Sequence, residues 1–119
     1  MAILTLLRST IMMRATRLTA ITGGFVYRGS TIPALIGEYI LGDMVTGRVF
    51  HVPVADLQLG AQAKLKELTL LHKGVVTTLM AIAGVGDRVD LRFGQDELGE
   101  IYILTKQDGK IRRLGPAAA

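Results

Sequence analysis

The stretch GEYILGDMVTGRVF, Gly37 to Phe50, recurs later in the chain as GEIYILTKQDGKIRRL, Gly99 to Leu114. Tyr39-Ile40-Leu41 matches Tyr102-Ile103-Leu104, and Gly47-Arg48-Val49 matches Gly109-Lys110-Ile111, with a loop that differs by a single residue. A Gly-Glu pair precedes each strand, at Gly37-Glu38 and Gly99-Glu100. One supersecondary unit is therefore written twice: turn, apolar strand, polar tip with glycine, basic residue, strand. Such a unit cannot cover both of its own faces, so its repetition points to stacked or radially arranged sheets.

The repeat also decides what its glycines do. Phosphate-binding glycine loops open a helix, whose N-terminal N–H groups help to hold the anion. Here the glycines lead into strands in both copies and read as turn residues. Asp108-Gly109 is a strong hairpin signal. In DELG, Asp96 can bond the backbone and Gly99 can take a positive φ at little cost.

From Ile21 onward the chain reads as short strands and turns. ITGGFVYRG, 21–29, reads as one strand with Phe25 and Tyr27 on a common face. STIPALIG is a connector, because Pro33 cannot donate to a ladder. EYILGD, GRVFHVPV, KELTLLH, RVDLRFG, EIYILTK and KIRRL supply the other strands. GVVTTLMAIAG, 74–84, fits either a strand or a short helical stripe through Val76, Leu79, Met80 and Ala83. Residues 1–20 carry no legible pattern and read as a lead-in, 21–114 as the repeat-bearing unit and 115–119 as a tail.

The expected fold class is all-β, a partial β-propeller of about two four-stranded blades. Two blades alone leave apolar faces wet. The chain therefore reads as part of a larger ring, or as a module that self-associates through its exposed blade faces.

Composition narrows the function classes. The 119 residues are 50% hydrophobic, with a mean hydropathy of +0.40, which suits one core and a surface in need of a partner. Tryptophan is absent, so that core is aliphatic. With no cysteine there is neither a disulfide framework nor a thiolate metal site. The apolar run Ala2 to Leu7 is broken by Arg8, far short of a membrane span, and lacks the basic start and cleavage site of a signal peptide. The net charge of +4 is spread over Arg8, Arg14 and Arg17 at one end and Lys106, Lys110, Arg112 and Arg113 at the other. Acids stand among these cations, and Tyr102 is the only nearby aromatic, so no nucleic-acid surface is expected.

ITGGFVYRGSTIPALIGEYILGDMVTGRVF closely resembles the glucose/sorbosone dehydrogenase family, six-bladed β-propellers related to the soluble quinoprotein sugar dehydrogenases. DRVDLRFGQDELGEIYILTKQDGKIRRL resembles the last blade and C-terminal end of those proteins, so the likeness covers Ile21 to Leu114. The resemblance implies an oxidoreductase acting on a sugar or related alcohol, with pyrroloquinoline quinone (PQQ) on the propeller axis and calcium polarising it. It also implies relatives that are mostly periplasmic or secreted. A quinone bearing three carboxylates needs cationic partners. The family's arginine pair, spaced i, i+2, falls on RVDLRFG: Arg88 fits the first position as a cofactor-binding residue, and Asp90 occupies the second. The family's lysine falls at Val45 or Thr46 in MVTGR. The histidine base and the calcium ligands belong to earlier blades of the family, so no catalytic and no metal-ligating residue is assigned to this chain.

The remaining polar residues read as structural. His51 and His72 each adjoin a strand and have no metal-ligand spacing to a second histidine or carboxylate. Asp43, Asp56, Asp87, Asp90, Asp96 and Asp108 lie in or beside turns, where they can cap backbone groups. No DxDxDG calcium loop is present, and no serine-histidine-acid set is available. The expectation is a C-terminal piece of such a protein that is inactive by itself, or alternatively a non-catalytic assembly module.

Overall fold

Where the chain carries Gly47 and Gly109, the backbone turns back on itself at φ 78° and 66°, a left-handed conformation that costs glycine nothing. Each glycine closes a hairpin. A computed structural model describes residues 2–11 as backbone, and 20–57 and 64–116 with their side chains. The strands are β1 (Ala2–Ile11), β2 (Ile21–Thr22), β3 (Glu38–Asp43), β4 (Val49–Pro53), β5 (Lys66–His72), β6 (Val75–Thr77), β7 (Leu91–Gln95), β8 (Ile101–Thr105) and β9 (Lys110–Gly115). A single α-helix is described, α1 (Leu79–Ala83). The fold is all-β.

Two antiparallel meanders make up the sheet, β2-β3-β4-β5 and β7-β8-β9. They are joined through β1, which pairs antiparallel with β5 and parallel with β9. One edge of β5 is shared: β4 meets Lys66 and Glu67, while β6 meets Leu70 to His72. The stretch 74–84 holds both of its expected structures in succession. Val75–Thr77 is strand, and Thr78 then caps α1, its hydroxyl accepting from the Ala81 N–H at 3.1 Å. Gly84, at φ 73°, ends the helix.

Two expectations are corrected by the ladder. First, 21–29 is not one continuous strand. Ile21 and Thr22 pair with Asp43 and Gly42, but the next bridge is Val26 to Tyr39, a register one residue out of step, as at a bulge. The Gly23-Gly24 pair lies in this break, and a Cβ on Gly24 would stand 2.3 Å from the Ile40 carbonyl oxygen. Beyond the break, Tyr27 is fully buried while Phe25 is 39% exposed. Second, the repeat aligns differently. In the first hairpin Gly42 faces Val49 and Leu41 faces Phe50; in the second Leu104 faces Ile111 and Ile103 faces Arg112. A constant displacement of 62 residues maps one ladder onto the other. Tyr39 therefore corresponds to Ile101 rather than to Tyr102, and the two loops have the same length.

That register fixes which faces meet. Directly paired residues point to the same side of a sheet. Ile40, Gly42, Val49 and His51 form one face of the first hairpin, and Tyr39, Leu41, Phe50 and Val52 form the other. The main core joins Ile40, Val49, Leu68 and Leu70 to Leu91, Ile101, Ile103 and Leu114. The former side of unit one thus packs on the latter side of unit two, front to back. Leu41, Phe50 and Val52 form a second buried cluster with Tyr39 and Leu65 behind the first unit. The front of the second unit is Tyr102, Leu104, Ile111 and Arg113, with Arg92 beside them across the β7–β8 ladder.

Candidate functional site

The positions that the family resemblance singles out converge at one end of this front-to-back contact. The extended segment leading into β7 runs beside the first hairpin loop. Val89 donates its N–H to the Val45 carbonyl at 2.9 Å, and Leu91 donates to Met44 at 3.2 Å. Arg88 and Asp90, which flank Val89, are thereby brought close to Val45 and Thr46. The loop is held by Asp43, whose carboxylate accepts from the N–H groups of Val45 and Thr46 at 2.9 and 3.2 Å.

Arg88 is half-exposed and forms an ion pair with Asp90. The Arg88 hydrogen bond holds the Asp90 carboxyl below its ordinary range, aided by Gln107. Asp90 stands at φ 55°, an uncommon conformation for a side-chain-bearing residue that aspartate tolerates better than most.

Two grooves flank this end. One, of about 500 Å³, includes Thr46, Arg48, Glu67, Thr77, Leu79 and Met80 in its lining. Its charges neutralise each other: Arg48 grips Glu67 through two hydrogen bonds of 3.0 and 2.8 Å and stacks over Phe50. The other, of about 510 Å³, includes Asp90, Arg92, Leu104, Lys106, Lys110 and Ile111 in its lining.

Three polar clusters carry structure. Glu100 is 3% exposed. Its carboxylate accepts from the Tyr27 hydroxyl at 2.7 Å, the Thr31 hydroxyl at 2.8 Å and the Ser30 N–H at 3.0 Å. Burial by itself raises its pKa, but these donors outweigh it and leave the carboxyl below the usual glutamate range. Burial likewise pushes the Tyr27 hydroxyl upward. At the second hairpin tip, Arg112 is 2% exposed and reaches Asp108 at 2.8 Å and the Thr105 hydroxyl at 3.0 Å. Asp96 accepts from Leu98 and Glu100 N–H groups at 3.0 Å and from the Tyr102 hydroxyl at 2.8 Å. The turn roles expected of Asp43, Asp96 and Asp108 are all found.

His51 is a structural histidine held by a partner, not a surface one. It is buried, and its Nδ1 meets a Glu38 carboxylate oxygen at 2.7 Å, a carboxylate that spacing alone did not offer. The signal was nonetheless available, since Glu38 and His51 are diagonal neighbours on one face once the hairpin register is known. His51 Nε2 is buried without a hydrogen-bond partner. Neither groove includes His51, and no group of three metal-ligating side chains occurs among the described residues. No helix among them is long and apolar enough to cross a membrane.

No protein-family model matches the chain, and no solved structure matches it.

Proposed function

We propose that this chain is the C-terminal portion of a glucose/sorbosone dehydrogenase-like β-propeller, and that it supplies two blade-like units to a scaffold whose intact form oxidises a sugar or related alcohol. The observation that carries this reading is the front-to-back packing of two hairpins related by one displacement. A heterologous contact of that kind closes into a ring when repeated by rotation, and a propeller is such a ring. The meeting of Arg88 and Asp90 with the loop of Val45 and Thr46 at one end of the contact also supports it, because the resemblance puts the family's quinone-facing positions there.

The residues do not fit the quinone itself. A tricarboxylate needs several unclaimed cations. Here Arg88 is engaged by Asp90, and Val45 or Thr46 stands where the resemblance calls for lysine. No step of quinone chemistry is assigned to this chain. Its residues hold the scaffold, and the chain alone is expected to be inactive.

The test is a dye-linked dehydrogenase assay with added quinone and calcium over a panel of aldoses. Turnover above background by the isolated chain would refute its inactivity. A structure of the isolated chain in which the two hairpins do not stack front to back would remove the basis for the propeller.

A further inference from the structure

We propose that the outer face of β7-β8-β9 is a docking site for an extended segment of a partner protein, with an apolar residue flanked by carboxylates. This inference rests on the repeat register and on charge, and it is an alternative to the ring, whose next sector would cover this same face.

The protein already shows how such a face is covered. On the first hairpin, the segment Val89 to Phe93 lies across the loop and the front of β3 and β4. Its N–H groups bond the loop carbonyls, and the sites of Gly42 and Gly47 are filled by Leu91 and Val89. Displaced by 62 residues, the same surface on the second hairpin is Leu104, Gly109, Lys110 and Ile111. There the space over Gly109 is open, Ile111 is 50% exposed, and the groove of about 510 Å³ runs above them.

Charge selects the occupant. Met44 of the first loop is replaced by Lys106, and Arg48, tied to Glu67, is replaced by Lys110. Arg92 stands across from Leu104, its guanidinium donating to the Leu91 carbonyl at 2.8 Å. None of Arg92, Lys106 and Lys110 is in an ion pair among the described residues. Asp90, the one acid in the lining, is bonded to Arg88 and to Gln107 and also feels the charge of Lys106. An apolar floor lined by three cations and a single, already engaged acid matches a strand with alternating carboxylates and aliphatic side chains. A second copy docked face to face would set the three cations against their own counterparts, which is repulsive.

The probe is a fluorescein-labelled peptide alternating glutamate with valine and leucine, titrated against the whole chain and followed by anisotropy. Binding is expected, and it should weaken about tenfold or more when Lys106→Glu and Lys110→Glu are combined. Ile111→Thr, at an exposed site, should weaken it about threefold through lost apolar contact. All three residues are exposed, and far-ultraviolet circular dichroism of each variant checks that the fold persists. Amide shifts at Arg92, Leu104 and Ile111 should move on titration. No binding, or binding insensitive to all these changes, overturns the proposal. So does equal binding of a single-stranded oligonucleotide that Ile111→Thr leaves unaltered, which would make the groove a plain anion patch. A dimer in light scattering that the Lys106→Glu, Lys110→Glu variant abolishes would overturn it too, by making a second copy the occupant.

Discussion

Gly47 and Gly109 occupy equivalent places in the two hairpins, with φ of 78° and 66°, yet their surroundings differ. A Cβ at 109 meets nothing, whereas one at 47 would lie 2.9 Å from Val89 and 3.0 Å from Leu79. Both substitutions to alanine incur the left-handed penalty of about 1–2 kcal/mol, but only Gly47→Ala also disturbs packing, which adds about 1–3 kcal/mol. Gly109→Ala should therefore lower stability modestly in urea unfolding, and Gly47→Ala clearly more. Equal losses would mean that the segment through Val89 does not cover the first hairpin. Why these positions hold glycine was half-legible in the sequence. The turn requirement follows from Asp108-Gly109 and from the repeat, but the close approach at Gly47 depends on residues far along the chain. His51 illustrates the same limit, since its partner Glu38 becomes visible only when the ladder is in register.

At the scale of elements, the hairpins could be read because turn chemistry is local, and β3 and β5 begin and end where their sequence patterns do. Tyr-Ile-Leu recurs in both copies one residue out of structural register, whereas the turn glycines Gly47 and Gly109 recur in register. β1 was illegible, since its place between β5 and β9 depends on partners supplied by both meanders. The tie between the connector and the second hairpin was also hidden. Glu100 reaches Tyr27, 73 residues away in sequence, and gathers Ser30 and Thr31 as well. Glu100→Gln keeps the shape but offers an amide where backbone N–H groups need an acceptor, and should cost about 1–3 kcal/mol at neutral pH. The folded carboxyl has a lowered pKa, so the ionised form contributes stability above the unfolded value of about 4.3. That contribution is lost as pH falls through the folded value. The stability gap between the protein and Glu100→Gln should be full at pH 7 and shrink on acidification below about pH 4. A gap that stays constant across that range would show that the Glu100 charge is not what holds the connector.

For the whole molecule, the decisive feature is that the main core belongs to neither hairpin alone. The main cluster draws Ile40 and Val49 from one unit and Leu91, Ile101 and Ile103 from the other, and Leu91 is fully buried at the junction. If a unit were stable alone, removing its neighbour would leave it folded; a hairpin without a second packed layer is marginal in water. Leu91→Ala takes a buried side chain from the shared layer and should cost about 2–5 kcal/mol, a large part of the total for a domain of this size. The loss should not stay local. Because the faces of both units depend on the same contact, amide exchange protection should fall together in β3–β4 and in β8–β9, with one unfolding transition by circular dichroism and by tyrosine absorbance. Protection lost in β8–β9 but kept in β3–β4 would show two independently stable units. The front-to-back packing would then be an incidental contact, and the basis for reading the chain as sectors of a ring would go with it.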